Sequence, residues 1–466
     1  MSKEEKSGKT VKLVSEIRPV KESEEAALLK RSGVTGVDIG YKYVKGKKTD
    51  ELAIRVYVEQ KKDVPKSEMI PKTINGVKTD VIQRKFVLHP LKVKLTDIAV
   101  MADTGRYDPL KGGISIGPCR AIGGYIFAGT LGAIVIDNST GKEMLLSNFH
   151  VMCVDDTWTV GNTMCQPSRI DTGVCPGDVV GTLQRASLGG KVDCAVASHT
   201  ARGYACEIVD IGKVAGKATA TVGMAVRKRG RTTGLTYGTV DTVDLTVNIP
   251  YGDGLGVVTL TKQIGIDVDS TKSAKFGIHG DSGSVVVDNS RRIVGLYFAG
   301  NDEQKDATGK VIQPEGVYGV ANPIQAVLDA LNVRICAPKL IEKVKDHLKE
   351  IWEPPEWEKI IKTSERLEKA KEYEKTKEHI EKYKPENIKP EVEKYKGGIP
   401  TIPTPPSQPG PIEGPIRGSN EERIASLEAT VTQLSHFIGS MLRPDLAESA
   451  LKYEPEAETE EQCESS

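Results

Sequence analysis

Apolar and polar residues alternate in short runs between residues 28 and 100, and residues 51–58 (ELAIRVYV) are one example. A period of two is typical of half-buried strands. A helical stretch is predicted to begin near Glu24, so residues 28–100 are expected to form a small α+β domain. Residues 1–27 are rich in lysine and glutamate and poor in apolar residues, which predicts a disordered tail.

A different pattern covers residues 101–335, where short runs of Val, Ile, Leu and Thr are separated by glycine-bearing turns. Residues 132–137 (GAIVID) and 284–288 (SVVVD) are examples. Many short strands with such turns are typical of an all-β sandwich or barrel. A helix is expected to close this region, because Asn322 can cap it and Pro323 suits its first position.

The remaining chain divides by composition into four further segments. Residues 336–396 are a charged helical spacer, residues 397–418 a Pro/Gly linker, residues 419–443 a short coiled coil and residues 444–466 an acidic tail. The coiled coil is predicted from heptad spacing, which favours a parallel dimer and leaves a trimer open. The apolar heptad positions are Ile424, Leu427, Val431, Leu434, Ile438 and Met441. The alternative is a single amphipathic helix that packs on its own chain.

Charge and targeting signals narrow the classes of function. Lys+Arg and Asp+Glu number 64 each, so the net charge gives no reason to expect nucleic acid or an anionic membrane as a partner. No apolar run suits a signal peptide or a membrane span, which predicts a cytoplasmic protein without membrane contact. The 8 cysteines are therefore expected to be reduced, and since none lies in a C-x-x-C pair we predict no metal site. No motif calls for a cofactor.

Three residues in the β-rich region suggest nucleophilic catalysis. Ser282 lies in the glycine-flanked string 280–284 (GDSGS), where the N–H groups of Gly280 and Ser282 can converge on a substrate oxygen. A serine hydroxyl needs a histidine base and a carboxylate that orients it. His150 follows an apolar run, and Asp193 interrupts an apolar strand, where an unpaired carboxylate is costly.

The order His150, Asp193, Ser282, with these spacings, resembles the chymotrypsin-like (trypsin-like) serine proteases. Four further strings, 129–134 (GTLGAI), 166–171 (QPSRID), 228–234 (KRGRTTG) and 295–300 (GLYFAG), resemble an intracellular branch with bacterial trypsin-like and plant narrow-leaf-type members. The resemblance implies a double six-stranded β-barrel, a small N-terminal α+β domain and a catalytic triad of those residues. It also makes Gly280 and Ser282 the oxyanion hole and a protein or peptide the substrate.

The same resemblance places the primary substrate pocket and raises the question of activation. Phe276 occupies the position of the pocket floor, with His279 near it and residues 298–300 (Phe298, Ala299, Gly300) as one wall. Family members use a freed apolar N-terminus to pair with the acid before the serine, here Asp281. Gly113 begins only a weak candidate for such a terminus, so the active conformation is expected to be built in or reached by partner binding.

The sequence thus predicts a serine endopeptidase of narrow or regulated specificity, forming a homo-oligomer through residues 419–443. Two alternatives stay open. One is a catalytically silent scaffold of protease fold that binds peptides. The other is an esterase that uses the same triad on small acyl substrates.

Overall fold

The computed structural model describes residues 3–336 except positions 45, 95–104, 201, 253 and 307, with side chains from residue 14 onward. Nearly all of the predicted spacer and the whole of the linker, coiled coil and acidic tail lie outside these residues. The structure therefore bears on the N-terminal region and the β-rich region.

Helices are few and strands are many. The helices are α1 (Lys3–Leu29), α2 (Phe149–Met152) and α3 (Ile324–Leu331), and a 3-10 turn covers Arg169–Asp171. The strands of the N-terminal part are β1 (Val34–Val44), β2 (Lys47–Val58), β3 (Thr73–Ile74), β4 (Val77–Gln83), β5 (Phe86–Leu88) and β6 (Leu91–Lys94).

The remaining strands occupy the β-rich region. Those of its first half are β7 (Leu110–Gly112), β8 (Ile114–Pro118), β9 (Tyr125–Leu131), β10 (Ala133–Asp137), β11 (Glu143–Ser147), β12 (Thr163–Cys165), β13 (Val179–Gly189), β14 (Val192–Ser198), β15 (Tyr204–Ile208) and β16 (Gly212–Lys213). Those of its second half are β17 (Ala225–Gly230), β18 (Gly234–Gly252), β19 (Gly256–Val268), β20 (Val285–Asp288), β21 (Ile293–Asn301), β22 (Gln304–Lys305), β23 (Val311–Gln313), β24 (Tyr318–Pro323) and β25 (Val333–Ile335).

Two six-stranded antiparallel barrels form from these strands. In the first, the seven segments β9, β8, β12, β13, β14, β11 and β10 pair in that order, and β9 and β10 count as one strand because only Gly132 separates them along the chain. In the second, β17, β20, β21, β24, β19 and β18 pair in order, and a β17–β18 pairing closes the ring. The chain is mainly β, and the chymotrypsin-like double barrel expected from the sequence is confirmed.

Apolar side chains fill each barrel and the space between them. Leu131 and Leu145 belong to the core of the first barrel, and Ile266 and Val286 to that of the second. A third cluster joins strands of both barrels to α3, and Val285 lies within it. Burial of apolar surface on both sides of this junction fixes the cleft between the barrels.

The N-terminal strands continue the sheet of the second barrel. β1 pairs with β2 and β2 with β4, and β1 also pairs with β18 through Gly36↔Val247 and Val37↔Thr246. Residues 28–100 do contain strands preceded by a helix, but β5 and β6 leave this sheet. They pair instead with β21 and β9 of the two barrels.

Helix α1 corrects the prediction of a disordered tail, because it covers Lys3–Leu29. The helix is held by the second barrel. Arg18 forms an ion pair of 2.7 Å with Asp244, and the ammonium of Lys21 donates a 2.8 Å hydrogen bond to Thr246. Composition alone hides these contacts, since charged side chains that pair with a sheet look the same in sequence as charged side chains in water.

Two disulfides correct the expectation of reduced cysteines for four of the residues. Cys119 is bonded to Cys175, and Cys206 is bonded to Cys336. The partners are 56 and 130 residues apart, so only the folded sheets bring them together. Among the described residues, no helix is both long enough and apolar enough to cross a membrane.

Candidate active site

A histidine–aspartate pair lies at the edge of the first barrel. The short helix α2 follows β11 and carries His150, whose Nδ1–H donates a 2.5 Å hydrogen bond to Oδ2 of Asp193 on β14. The backbone N–H of His150 donates to the other carboxylate oxygen at 3.2 Å. Both side chains are buried. The pairing fixes the imidazole tautomer that leaves Nε2 free to accept a proton.

Tyr251 completes the surroundings of Asp193 and was not predicted from the sequence. Its hydroxyl donates a 2.7 Å hydrogen bond to Oδ2 of Asp193. Burial, and then the negative charge of Asp193, raise the pKa of Tyr251 well above its ordinary value, so the hydroxyl keeps its proton. Asn148 and Asn322 hold the backbone of Asp193 through bonds of 2.7 and 3.1 Å. The carboxylate therefore accepts three hydrogen bonds in a rigid setting.

Ser282 lies in the loop before β20 and is fully buried. Its hydroxyl donates a 3.0 Å hydrogen bond to the carbonyl of Phe298. Nε2 of His150 is buried without a hydrogen-bond partner among the described residues. The structure thus joins His150 to Asp193, while the Ser282 hydroxyl is bonded elsewhere.

The backbone of Gly280 has the shape expected of an oxyanion hole. Its φ is +96°, and a Cβ there would lie 2.2 Å from Oγ1 of Thr232, so only glycine fits. Its N–H donates a 2.7 Å hydrogen bond to the carbonyl oxygen of His89. An N–H that binds a carbonyl oxygen beside the candidate nucleophile is what acyl transfer requires.

Asp281, between these two residues, has a partner within the chain. Its carboxylate lies 3.2 Å from the ammonium of Lys228, and both groups are fully buried. Burial raises the pKa of Asp281, but Lys228 and the hydrogen bonds from Ile278 and Thr233 outweigh it, and the net shift is downward. Gly113, the candidate new terminus, sits inside a turn and donates to the Leu131 carbonyl. The loop is therefore shaped by a built-in ion pair.

The predicted pocket residues divide between core and cleft. Phe276 is fully buried, and its ring lies 5.8 Å from that of Tyr297 in the second-barrel core. His279 is half exposed, and its Nδ1 lies 3.0 Å from the carbonyl oxygen of Pro90. Phe298, Ala299 and Gly300 lie on β21. Tyr297, which the sequence did not single out, has its ring 5.8 Å from that of Phe276 and 5.9 Å from that of His89.

Three cysteine sulfurs form the one candidate metal cluster in the described part of the chain. The sulfurs of Cys119, Cys165 and Cys175 lie within 4.8 Å of one another. Two of them are bonded to each other, which leaves only Cys165 as a thiol. Burial raises the pKa of Cys165 to about 11, so its thiolate is scarce at neutral pH. This set is a poor ligand site.

Comparisons with known proteins give distant structural neighbours only. No family model matches the chain, and no curated protein matches it. Thermobifida fusca protease A is 19% identical over 49% of this chain and 100% of its own, with a TM-score of 0.34. Cellulomonas bogoriensis chymotrypsin is 21% identical over 49% and 100%, and a Nocardiopsis protease is 18% identical over 49% and 98%, each with a TM-score of 0.33.

Proposed function

We propose that this chain is a serine endopeptidase in which Ser282 is the nucleophile, His150 the general base and Asp193 the acid that orients it. The observation that carries the proposal is the buried His150–Asp193 hydrogen bond of 2.5 Å, with Nε2 of His150 left without a partner among the described residues. A buried imidazole held in this way can take the serine proton and return it to a leaving amine.

The oxyanion site supports the same chemistry. Attack on a carbonyl carbon places negative charge on its oxygen, and the N–H of Gly280 already donates to a carbonyl oxygen. The Asp281 carboxylate, paired with Lys228, also accepts a 3.0 Å hydrogen bond from the N–H of Ile278, so it joins the backbone before and after Gly280. A protein or peptide substrate is proposed because β21 already pairs with an extended strand, β5, in the way that an extended substrate chain would pair with it.

The experiment is reaction of the full chain with a fluorophosphonate, followed by mapping of the labelled peptide. We expect label on Ser282, and loss of label in Ser282→Ala and in His150→Ala. Ser284→Ala is the matched control, because its hydroxyl lies in the same loop and bonds the carbonyl of Asp281 at 2.8 Å. A full chain whose label lies on a residue other than Ser282 contradicts the proposal.

A catalytically silent scaffold is the second candidate, and one observation favours it. Ser282 is buried, and its hydroxyl is bonded to Phe298. A scaffold would bind peptides but would not react with the fluorophosphonate at Ser282. An esterase would be labelled at Ser282 but would cut no member of a peptide library.

The finer features of location and assembly remain predictions. Residues 419–443, through which we propose that the chain oligomerises, lie outside the described residues. The test is to compare by sedimentation the number of subunits formed by the full chain and by a chain that ends at Lys396. Equal subunit counts contradict it. The cytoplasmic location and the intracellular branch also remain predictions, and the two disulfides make the redox state of the purified protein the first property to measure.

A further inference from the structure

A segment of the chain itself runs through the cleft. β5 pairs antiparallel with β21 through Leu88↔Ala299 and Val87↔Gly300. Three residues after β5 ends, β6 begins at Leu91 and pairs antiparallel with β9 of the other barrel. The segment therefore lies as an extended strand across both barrels, with His89 and Pro90 at the crossing.

The backbone of His89 makes the contacts of a residue whose peptide bond is about to be cut. Its carbonyl oxygen accepts the 2.7 Å hydrogen bond from the N–H of Gly280. Its own N–H donates to the carbonyl of Phe298 at 3.4 Å. The Phe298 carbonyl is also the acceptor for the hydroxyl of Ser282. The His89 N–H and the Ser282 hydroxyl thus bind the same carbonyl oxygen, which places the His89 backbone beside the candidate nucleophile.

The side chain of His89 is enclosed by the protein, and its Nε2 has no hydrogen-bond partner among the described residues. The ring is fully buried, and Nδ1 lies 2.6 Å from the hydroxyl of Tyr297. The His279 ring is 5.1 Å away. A Cβ on Gly300 would lie 2.5 Å from Cε1 of His89, so glycine at that position makes the room. Burial, and then the nearby His279, lower the pKa of His89 to about 3, which keeps the bound ring neutral.

We propose that residues 86–90 are a substrate-like inhibitor built into the chain, and that the primary pocket of the enzyme is selective for a histidine side chain. This inference rests on the proposed function, because it assigns the direction in which a substrate chain lies in the same cleft and the side chain that the primary pocket holds. Val87, Leu88 and His89 then stand for the last three residues before the bond that is cut. Free substrates are expected to carry apolar residues followed by histidine.

Pro90 explains why the built-in segment stays intact. Attack of the Ser282 oxygen on the His89 carbonyl carbon forms a C–O bond and breaks the bond to the Pro90 nitrogen. The serine proton, taken by His150, must then be delivered to that nitrogen. The proline nitrogen carries the ring carbon Cδ where other residues carry hydrogen, and this carbon crowds the approach of the imidazole. The bond after His89 is therefore not cut, and the segment stays in the cleft.

Attachment within one chain strengthens the inhibition. A tethered ligand has an effective concentration on the order of millimolar when its linkers are short, so a peptide added in solution competes poorly. The wild-type chain should consequently react slowly with any reagent aimed at Ser282.

The test compares the rate of fluorophosphonate labelling of Ser282 in wild type, His89→Gly and His199→Gly, all as full chains. His199 is the matched control, since it lies in the first barrel with its ring 5.3 Å from Tyr204. We expect His89→Gly to label at least about tenfold faster, the equivalent of roughly 1.4 kcal/mol of lost occupancy, and His199→Gly to match wild type. Equal rates for all three chains, with label on Ser282, overturn the inhibitor and leave the proposed function standing. No label on any chain overturns the proposed function, and the inhibitor with it.

A second variant keeps the test open if His89→Gly fails to fold. Pro90→Ala should let the enzyme cut its own chain, and mass spectrometry should find a new N-terminus at position 90. The double variant Pro90→Ala/Ser282→Ala should stay intact. If Pro90→Ala labels at Ser282 but is never cut after His89, the substrate direction given to the segment is wrong.

Discussion

The buried pair Lys228–Asp281 gives the sharpest prediction about the catalytic loop. Lys228→Met keeps a side chain of similar length but removes the ammonium, which lies 5.7 Å from the centre of the Phe276 ring and 5.3 Å from that of Tyr297. Asp281 is then left as an unpaired anion in a fully buried site. Removing one partner of a buried pair costs about 3–5 kcal/mol of folding free energy.

The hydrogen bonds that remain decide where in this interval the loss falls. Asp281 still accepts bonds from the backbone N–H groups of Thr232, Thr233 and Ile278 at 2.9 to 3.0 Å, and from the Thr233 hydroxyl at 2.7 Å. Four donors stabilise a carboxylate considerably, so we expect a loss near the lower limit, about 3 kcal/mol.

The assay is urea unfolding of the full chain, paired with the rate of Ser282 labelling. Lys228→Met should lower the unfolding free energy by about 3 kcal/mol and slow the labelling, because the charge next to Gly280 now disturbs the loop. Lys228→Met/Asp281→Asn should recover part of the stability, since the amide is neutral. A loss below about 1 kcal/mol in the single variant refutes the reasoning, because it means that Asp281 is paired or solvated in another way.

Two further predictions concern Asp193 and His89. Tyr251→Phe removes a charge-assisted hydrogen bond from the Asp193 carboxylate. The variant should lose about 1.5–3 kcal/mol of unfolding free energy and should be labelled more slowly at Ser282. A variant as stable and as reactive as wild type would contradict this prediction. The pKa of His89 falls from 6.5 to about 3 on burial, so the stability from its neutral form is full above pH 6.5 and lost as the pH falls toward 3. Between pH 7.5 and 5.0 wild type should lose about 2 kcal/mol more unfolding free energy than His89→Gln in urea unfolding. Equal losses would refute the buried placement of His89.

Sequence reasoning reached the parts of the site that chemistry forces into one strand or loop. An acid in the apolar strand around Asp193 needs a buried partner, and His150 is that partner. The sequence analysis assigned Gly280 a backbone role, and its φ of +96°, a conformation that favours glycine, agrees with that role. The features that mark these residues lie in the same strand or loop, so the sequence pattern is enough to find them.

The residues that were missed owe their role to a contact with a residue far away in the sequence. Tyr251 lies in the long strand β18, 58 positions from Asp193, and nothing near it in sequence marks it as polar support. Lys228 was noted as part of a motif, but its contact with Asp281 depends on the closure of the second barrel. His89 was assigned to an N-terminal domain, because residues 28–100 were grouped by their short runs of alternating apolar and polar residues. Which sheet a strand joins is set by its tertiary neighbours and not by its own pattern.

The N-terminal sheet determines how firmly the proposed inhibitor is held. The segment begins at Phe86, three residues after β4 ends at Gln83, and β4 is tied through β2 and β1 to β18 of the second barrel. On the other side, β6 ties it to β9 of the first barrel. Cutting the bond after His89 leaves both halves attached, so cleavage alone does not empty the cleft. Emptying it requires β5 to leave β21, a pairing of only three residues. We therefore expect a partner that binds the N-terminal sheet and separates β5 from β21 to activate the protein more effectively than cleavage of the bond after His89.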